Sequence, residues 1–203
     1  MEHIINQIIL RGQLVNLPEI SHENHGKRFY KFCLDVPRLS GAIDRLNIVA
    51  EESLLNQMDL TAGSMISVTG QIRSHNIRKE GVRHLMIFVF AAKLETDDGE
   101  PCNEVTLEGP LCKEPIYRRT PLGREICDVM LAVPRSFRRA DYLPCILWGR
   151  TAQEASSCHI RQPIRIFGRL QSRNYTKITP DGPLEKVAYE ISALSAEFPD
   201  TCG

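Results

Sequence analysis

The chain contains two copies of one sequence pattern, and this internal duplication restricts the fold more than any other feature. NQIILRGQL, which starts at Asn6, matches NEVTLEGPL, which starts at Asn103, at an offset of 97 residues. GQIRSHNI at 70–77 matches GRLQSRNY at 168–175 at an offset of 98. The offset reaches 101 in the last predicted strand, where LMIFVFAA falls on KVAYEISA. A drifting offset indicates insertions in loops between shared elements.

Apolar and polar residues alternate in both copies, as expected for β-strands with one buried face. The alternation predicts five strands per copy and a short helix-compatible segment between the third and the fourth. The predicted strands are 4–14, 29–36, 44–50, 64–74 and 84–94 in the first copy, and 103–111, 124–133, 142–148, 163–173 and 185–196 in the second. The predicted helical segments are 51–58 and 150–157.

Three strands, a helix and two more strands in about 100 residues are the elements of an OB-fold, a small barrel that binds ligands on its surface. An SH3-like or other small β-barrel is the alternative that the pattern leaves open. The acidic stretch ETDDGEPC at 95–102 is typical of a linker. The prediction is therefore an all-β protein of two tandem five-stranded OB-fold barrels, spanning residues 1–98 and 99–203.

The charge of the chain is balanced overall but uneven along the sequence. It has 25 Lys and Arg against 25 Asp and Glu, and a net charge of zero does not by itself favour a nucleic-acid partner. The segment from Arg118 to Lys177, however, contains twelve basic residues and only four acidic ones. We therefore expect any electrostatic binding surface to lie in the second copy.

Neither a targeting segment nor a metal site is predicted. The start, MEHIINQIILRG, has an early acidic residue and no long apolar run, so we expect a cytoplasmic protein without membrane contact. Seven cysteines form no CxxC pair, and several lie in apolar strand-like stretches, where a reduced thiol packs as a small hydrophobe. HENH at 22–25 is more typical of a polar loop than of a metal site. We expect no metal and no cofactor.

Three segments of the second copy carry a family resemblance. The segments are, in chain order, NEVTLEGPL, DVMLAVPRSFRRADYLPCILWGRTAQEA and PIRIFGRLQSRNY. Together they resemble the bacterial single-stranded DNA-binding protein family. Its members share an Asn-x-Val-x-Leu-x-Gly-x-Leu first strand, a helix that opens with Gly and spaced Ala, and a fourth strand with Gly-x-Leu-x-x-Arg-x-aromatic. The resemblance covers roughly residues 103–196, and more weakly 6–94.

This resemblance implies a set of DNA-binding residues. The family's base-stacking aromatic positions fall on Phe137, Tyr142, Trp148 and Tyr175. The chain has 7 Phe, 1 Trp and 5 Tyr, so filling all four positions by chance is improbable. Basic residues flank these rings, so that rings could contact bases and basic side chains could contact phosphates in alternation along one path. These basic residues are Arg135, Arg138, Arg139, Arg173 and Lys177. For Tyr142 and Trp148, a place among ordinary barrel side chains is the alternative.

The first copy lacks this aromatic set. Its corresponding positions are assigned to Ser40, Asp44, Ala50 and Ile77, none of which is aromatic. Phosphate contacts could still be made in the first copy by Arg73, Arg78 and Lys79, together with His75. A structural or dimerisation role is nevertheless the better prediction for the first barrel.

The favoured function is non-enzymatic, sequence-tolerant binding of single-stranded DNA in replication, repair or DNA transfer. Because family members place four barrels around DNA, two barrels per chain imply a homodimer, and the exposed edge of the first strand is the expected contact. Family members recruit replication and repair proteins through an acidic tip, whereas this chain ends at SAEFPDTCG, which puts replication proteins in doubt as partners.

Two other classes of function stay open. A primosomal-type adaptor would use the same barrels for protein contacts and bind DNA weakly, which suits the zero net charge. An enzyme is the least supported class, since the neighbours Cys158 and His159 have no third residue to orient them.

Overall fold

The computed structural model describes residues 5–56, 58–79, 82–179 and 182–199, and these ranges form an all-β protein, as predicted. The first copy contains β1 (Asn6–Leu14), β2 (Glu19–Asn24), β3 (Lys27–Pro37), β4 (Ile43–Glu51), helix α1 (Glu52–Leu55), β5 (Met65–Lys79) and β6 (Val82–Thr96). The second contains β7 (Cys102–Pro110), β8 (Ile116–Arg119), β9 (Glu125–Arg135), a 3₁₀ turn (Ser136–Arg138), β10 (Arg139–Trp148), helix α2 (Gly149–Ser156), β11 (Pro163–Thr179) and β12 (Gly182–Glu197).

The strands form one continuous sheet whose two halves repeat the same pairing. The order is β2-β3-β4-β6-β5-β1-β7-β11-β12-β10-β9-β8. In the first half β4 pairs in parallel with β6, and β1 also pairs with β3; in the second half β10 pairs in parallel with β12. A bridge between Leu111 and Leu131 mirrors the pairing of Leu14 with Leu34. We call β1–β6 barrel 1 and β7–β12 barrel 2.

Alternation along the strands places every second side chain in a barrel core. In β4, for example, Leu46, Ile48 and Ala50 are fully buried while the residues between them are not. Burial of a Leu or Ile side chain stabilises the fold by roughly 1.5–3 kcal/mol. At the register shift of β5 and β6, a Cβ on Gly70 would lie 2.2 Å from the carbonyl oxygen of Phe90, so this close approach of strands requires glycine.

Two strands and the length of two hairpins were not predicted. All residues of β2 and β8 are exposed, so neither strand has the apolar alternation by which the other strands were recognised. The hairpins β5–β6 and β11–β12 extend beyond the predicted segments, to Lys79 and Thr179 on their first strands. The offset between the last strands of the two copies, β6 and β12, is 102 residues rather than 101. Ala91 pairs with Gly70 in the first copy, and Ala193 pairs with the equivalent Gly168 in the second.

The two barrels are joined through their first strands. β1 and β7 pair antiparallel, with Asn6 opposite Leu107 and Arg11 opposite Cys102. The prediction that the free edge of the first strand makes a contact between chains is therefore wrong, because that edge is already paired within the chain. We propose residues 98 and 99 as the domain boundary, since they lie in the segment between β6 and β7.

A second junction holds the barrels together with reciprocal hydrogen bonds, which we call the inter-barrel clasp (Asp44 with Ser172, and Asp141 with Ser74). The backbone N–H of Ser172 in barrel 2 donates to the buried carboxylate of Asp44 in barrel 1 at 2.7 Å. In the other direction, the backbone N–H of Ser74 donates to the buried carboxylate of Asp141 at 2.7 Å. The clasp therefore follows the duplication of the sequence.

Arginines balance both carboxylates of the clasp. Arg38 contacts Asp44 through its Nε at 2.8 Å and donates to the carbonyl oxygen of Ser172 at 2.9 Å. Asp141 is contacted by Arg73 of barrel 1 at 3.0 Å and by Arg135 of barrel 2 at 3.4 Å. Buried carboxylates need such partners, because an unpaired buried charge is strongly destabilising.

Candidate nucleic-acid interface

All four predicted stacking residues have exposed side chains on barrel 2. Phe137 is 93% exposed, Tyr142 45%, and Trp148 and Tyr175 each 37%. The alternative that Tyr142 and Trp148 fill the barrel core therefore fails. Large exposed rings of this kind are common at binding surfaces, where one face stays free for a ligand.

Phe137 lies in a strained turn between β9 and β10. Its backbone is left-handed, with φ 62° and ψ 36°, and that of Arg138 is also left-handed, with φ 55°. This conformation costs roughly 1–2 kcal/mol for a residue with a Cβ and is rare for bulky residues. Strained backbone of this kind clusters at functional sites, and here it directs an exposed ring away from the barrel.

Tyr142 and Trp148 lie on the outer face of β10. They are six residues apart on the same side of the strand, about 20 Å at the usual rise per residue. Pro144 and Ile146 lie between them on that face and are largely covered. The indole Nε1–H of Trp148 donates to the hydroxyl of Ser192 in β12 at 3.0 Å, which fixes the ring against the sheet.

The hairpin of β11 and β12 carries the fourth ring with basic neighbours. Arg173, Tyr175 and Lys177 alternate along β11, so their side chains share one face of the strand. The guanidinium of Arg173 lies 5.9 Å from the centroid of the Tyr175 ring, a cation–π distance. Lys186 pairs directly with Tyr175 across the hairpin, and no sequence motif had indicated it.

Strand register shows which end of β10 lies nearest this hairpin. Cys145 of β10 pairs in parallel with Ile191 of β12, and Tyr175 pairs with Lys186, five residues before Ile191. Continuing the register places Tyr175 beyond the Tyr142 end of β10. The hairpin ring and the start of β10 therefore lie at the same end of barrel 2.

Much of the positive charge in the second copy is neutralised within the chain. Arg173 contacts Glu190 at 3.4 Å, and Arg135 contacts the buried Asp141. Several arginines outside the predicted site are paired in the same way: Arg118, Arg119, Arg150 and Arg165. Exposed predicted residues that make no ion pair within the described ranges are Arg138, Arg139 and Lys177. Within the described part of the chain, these three cations beside the rings have no carboxylate partner that would compete with a phosphate.

The register also corrects the residues assigned to the first copy. Asp44 pairs with Val36 as Asp141 pairs with Val133, so Asp44 corresponds to Asp141. The same offset of 97 makes Arg45 the counterpart of Tyr142, and Glu51 the counterpart of Trp148. Neither is aromatic, so the conclusion that barrel 1 lacks the stacking set is unchanged.

The predicted phosphate contact of Arg73 is not favoured by its surroundings. Its guanidinium is largely buried and contacts Asp141 in the inter-barrel clasp. Arg78 and His75 are exposed on β5. The side chain of Lys79 lies outside the described residues.

Other chemistry has little support in the described residues. Among them, no group of three His, Cys, Asp or Glu side chains could hold a metal ion. Six cysteines in these ranges are free thiols, and burial raises the pKa of Cys127 to about 11, which keeps it protonated and unreactive. In the same ranges, helices that combine the length and apolar character needed to cross a membrane are absent.

Comparison with known proteins gives a family match in the second copy and several related proteins. The family model described as "Single-strand binding protein family" matches residues 102–199. "Single-stranded DNA-binding protein B" of Bacillus subtilis is 40% identical over 80 residues, which cover 36% of this chain and 71% of that protein. "Single-stranded DNA-binding protein 2" of Listeria innocua is 36% identical over 103 residues, covering 47% of this chain and 63% of that protein.

A further relative is matched over less than half of its length. "Single-stranded DNA-binding protein 1" of Staphylococcus aureus is 39% identical over 80 residues, covering 36% of this chain and 48% of that protein. The chain therefore spans under two thirds of both this relative and the Listeria protein.

A solved structure matches both barrels together. The wild-type single-stranded DNA binding protein from Thermus aquaticus superposes with a TM-score of 0.80, covering 98% of this chain and 95% of that one, at 22% sequence identity. At this identity the match establishes the shared fold, in which two OB-type barrels occur in one chain. The sequence matches show that the chain belongs to the single-strand binding protein family, whose members are not enzymes.

Proposed function

We propose that the chain binds single-stranded DNA without sequence preference, through the outer surface of barrel 2. The rings of Phe137, Tyr142, Trp148 and Tyr175 stack on bases, and the neighbouring basic residues contact phosphates. Each stacked base contributes about 1–3 kcal/mol irrespective of its identity, because every base has a π-face. The roles that follow from this activity are DNA replication, repair or transfer.

The observation that best supports the proposal is the exposed ring of Phe137, held by a left-handed backbone between three arginines. An exposed ring in a strained turn brings no packing energy to barrel 2. Stacking on a base would bury it and offset the strain. Arg138 and Arg139 then lie beside the bound strand, where phosphates are expected.

We also propose that the working assembly is a homodimer with four barrels. Because β1 and β7 already pair within the chain, the contact between chains has to involve another surface. Sedimentation equilibrium at several concentrations measures the mass directly. A mass of one chain at micromolar concentration would contradict this part of the proposal.

The main experiment uses Trp148, the single tryptophan of the chain, as a reporter. Titration with oligo(dT) should quench its fluorescence, because a stacked base covers the exposed part of the indole. The double variant Phe137→Ala and Tyr175→Ala removes two stacks without touching the reporter. Its binding free energy should fall by roughly 2–6 kcal/mol, while its thermal unfolding stays close to that of the wild type.

The matched control is Ile160→Ala, which removes an exposed apolar side chain of barrel 2 outside the four-ring set. This variant should bind oligo(dT) as the wild type does. Unchanged tryptophan fluorescence, together with no salt-sensitive retention on immobilised single-stranded DNA, would refute the proposal and favour the primosomal-type adaptor. Equal losses in the double variant and the control would refute the assigned residues.

A further inference from the structure

A cleft of about 320 Å³ lies where the turn between β3 and β4 of barrel 1 meets the start of β7 and strand β11 of barrel 2. Pro37 and Leu39 line it from barrel 1, and Pro101 and Arg169 line it from the other side. Its volume is close to the lower end of the roughly 300–1,000 Å³ that is usual for ligand sites in proteins. The cleft therefore suits a small group of a ligand.

Arg169 brings to this cleft a buried polar atom without a partner. Its Nε is the one buried side-chain nitrogen or oxygen among the described residues that makes no hydrogen bond. Such an atom calls for an explanation, because a buried donor that is left unsatisfied costs free energy. An acceptor supplied by a ligand would satisfy it.

The first copy has a different residue at this position. At the offset of 98, Gln71 is the counterpart of Arg169. Gln71 accepts a hydrogen bond from Arg73, whose guanidinium pairs with Asp141 in the inter-barrel clasp. On the other side of the junction the clasp uses Arg38 instead. The contacts described for the clasp therefore do not involve Arg169.

Most other polar side chains of the cleft already have partners. Arg38 is paired with Asp44. The side-chain amide of Asn103 donates to the carbonyl oxygen of Leu170 at 2.7 Å and accepts from its N–H at 3.0 Å. These bonds fix β11 beside the cleft. They leave Arg169 as the cation that a ligand can neutralise.

The turn between β3 and β4 presents apolar side chains at this edge of the cleft. Leu39 is fully exposed, and Ile43 at the end of the turn is exposed as well. The N–H of Arg38 donates to the carbonyl oxygen of Ala42 at 2.8 Å, and Gly41 is left-handed, with φ 84°. This tight turn holds Leu39 at the surface, where it can pack against an aliphatic group of a partner.

The lining favours a single carboxylate over a polyanion. Glu100 lines the cleft, so a run of phosphates would meet a carboxylate there. The described lining residues include no aromatic ring on which a base could stack. A guanidinium such as that of Arg169 binds one carboxylate through two parallel hydrogen bonds.

We propose that this cleft binds an acidic residue of a partner protein, flanked there by apolar residues. The carboxylate accepts hydrogen bonds from Nε and one terminal nitrogen of Arg169, and an aliphatic neighbour packs against Leu39 and Pro37. None of the four rings of barrel 2 lines the cleft. The site is therefore separate from the proposed stacking surface and does not depend on DNA binding.

The test titrates the protein with two capped tripeptides, Leu-Asp-Leu and Leu-Asn-Leu, and follows the backbone amide signals by heteronuclear NMR. The Asp peptide should shift the signals of residues that line the cleft. The isosteric Asn peptide should bind at least about tenfold more weakly, the effect of losing a hydrogen bond to a charged group. Arg169→Gln, which supplies the side chain found at this position in the first copy, should weaken binding of the Asp peptide by a similar factor without lowering the unfolding temperature.

Arg165→Gln is the matched control, because it removes the same charge from the same face of β11, where Arg165 already pairs with Glu108 and Glu197. It should leave binding of the Asp peptide unchanged. Leu39→Ala should weaken that binding without lowering the unfolding temperature, since the side chain is exposed.

Three results would overturn the proposal. The first is equal affinity of the Asp peptide for the wild type and for Arg169→Gln. The second is the absence of binding to the wild type at millimolar concentration. The third comes from oligo(dT), which Arg169→Gln should bind as the wild type does: a loss of oligo(dT) affinity with unchanged peptide binding would assign Arg169 to DNA instead.

Discussion

Replacement of Asp141 by Asn tests whether the inter-barrel clasp holds the two barrels together. The Asp141 side chain is 0% exposed and accepts from the Ser74 N–H at 2.7 Å and from Arg73 at 3.0 Å. Asn keeps the shape and one acceptor but removes the charge. It leaves the guanidinium groups of Arg73 and Arg135, whose side chains are only 18% and 31% exposed, without their counter-ion.

Removing one partner of a buried ion pair costs roughly 3–5 kcal/mol. Because Arg135 is still partly hydrated, we expect the lower end for Asp141→Asn, about 3 kcal/mol of unfolding free energy. For a chain of this size, 1 kcal/mol shifts the unfolding temperature by about 2–4 °C, so the expected decrease is about 6–12 °C.

Differential scanning calorimetry and urea unfolding measure this loss. The control is Asp128→Asn, which breaks the exposed pair of Asp128 with Arg118, of 2.6 Å, and should cost less than about 1 kcal/mol. The two variants remove the same charge from the same barrel. Equal stability of the two would show that the clasp does not stabilise the junction.

Three further outcomes are expected. Phe137→Gly should weaken oligo(dT) binding but leave the unfolding free energy unchanged or raise it by up to about 1 kcal/mol, because glycine relieves the strain of the left-handed backbone. A clear loss of stability in thermal unfolding would contradict this expectation. The logarithm of the binding constant should fall with the logarithm of salt concentration with a slope of about −2, at about −0.7 for each of Arg138, Arg139 and Lys177, the three predicted cations without an ion pair in the described part of the chain. A slope steeper than about −4 would show that the paired arginines also bind phosphate. Cys127, with its pKa raised to about 11 by burial, should resist iodoacetamide at pH 8 in the folded protein and react once urea unfolds it, as mass spectrometry would show; rapid modification of the folded protein would contradict its burial.

Local pattern was sufficient for most of the architecture. The alternation of Leu46, Ile48 and Ala50 in β4 recurs in the other long strands, and each strand that buries one face was found within a few residues of its observed position. β2 and β8 were missed because none of their residues is buried, so their pairing with β3 and β9 has no periodic signal. The hairpins were predicted too short for the same reason, since their outer halves leave the core.

The candidate site was predicted in part. The outward-facing rings of Phe137 and Tyr175 were expected from their polar, basic neighbours in the sequence. The ion pairing of the basic residues was not expected from the sequence. Arg173 pairs with Glu190 of another strand, and Arg135 pairs with the buried carboxylate of Asp141. Ion pairing depends on which strands become neighbours, and a count of charges along the chain does not contain that information.

The sequence by itself determined the duplicated all-β architecture, because strand periodicity and internal repeats are local properties of the chain. The four aromatic positions of barrel 2 were an implication of the family resemblance that the sequence carries. The tertiary structure alone decided how the two barrels meet. Ser74 binds Asp141, and Ser172 binds Asp44, across sequence separations of 67 and 128 residues. Those contacts depend on the pairing of strands that are far apart in the sequence, and no local pattern contains that information.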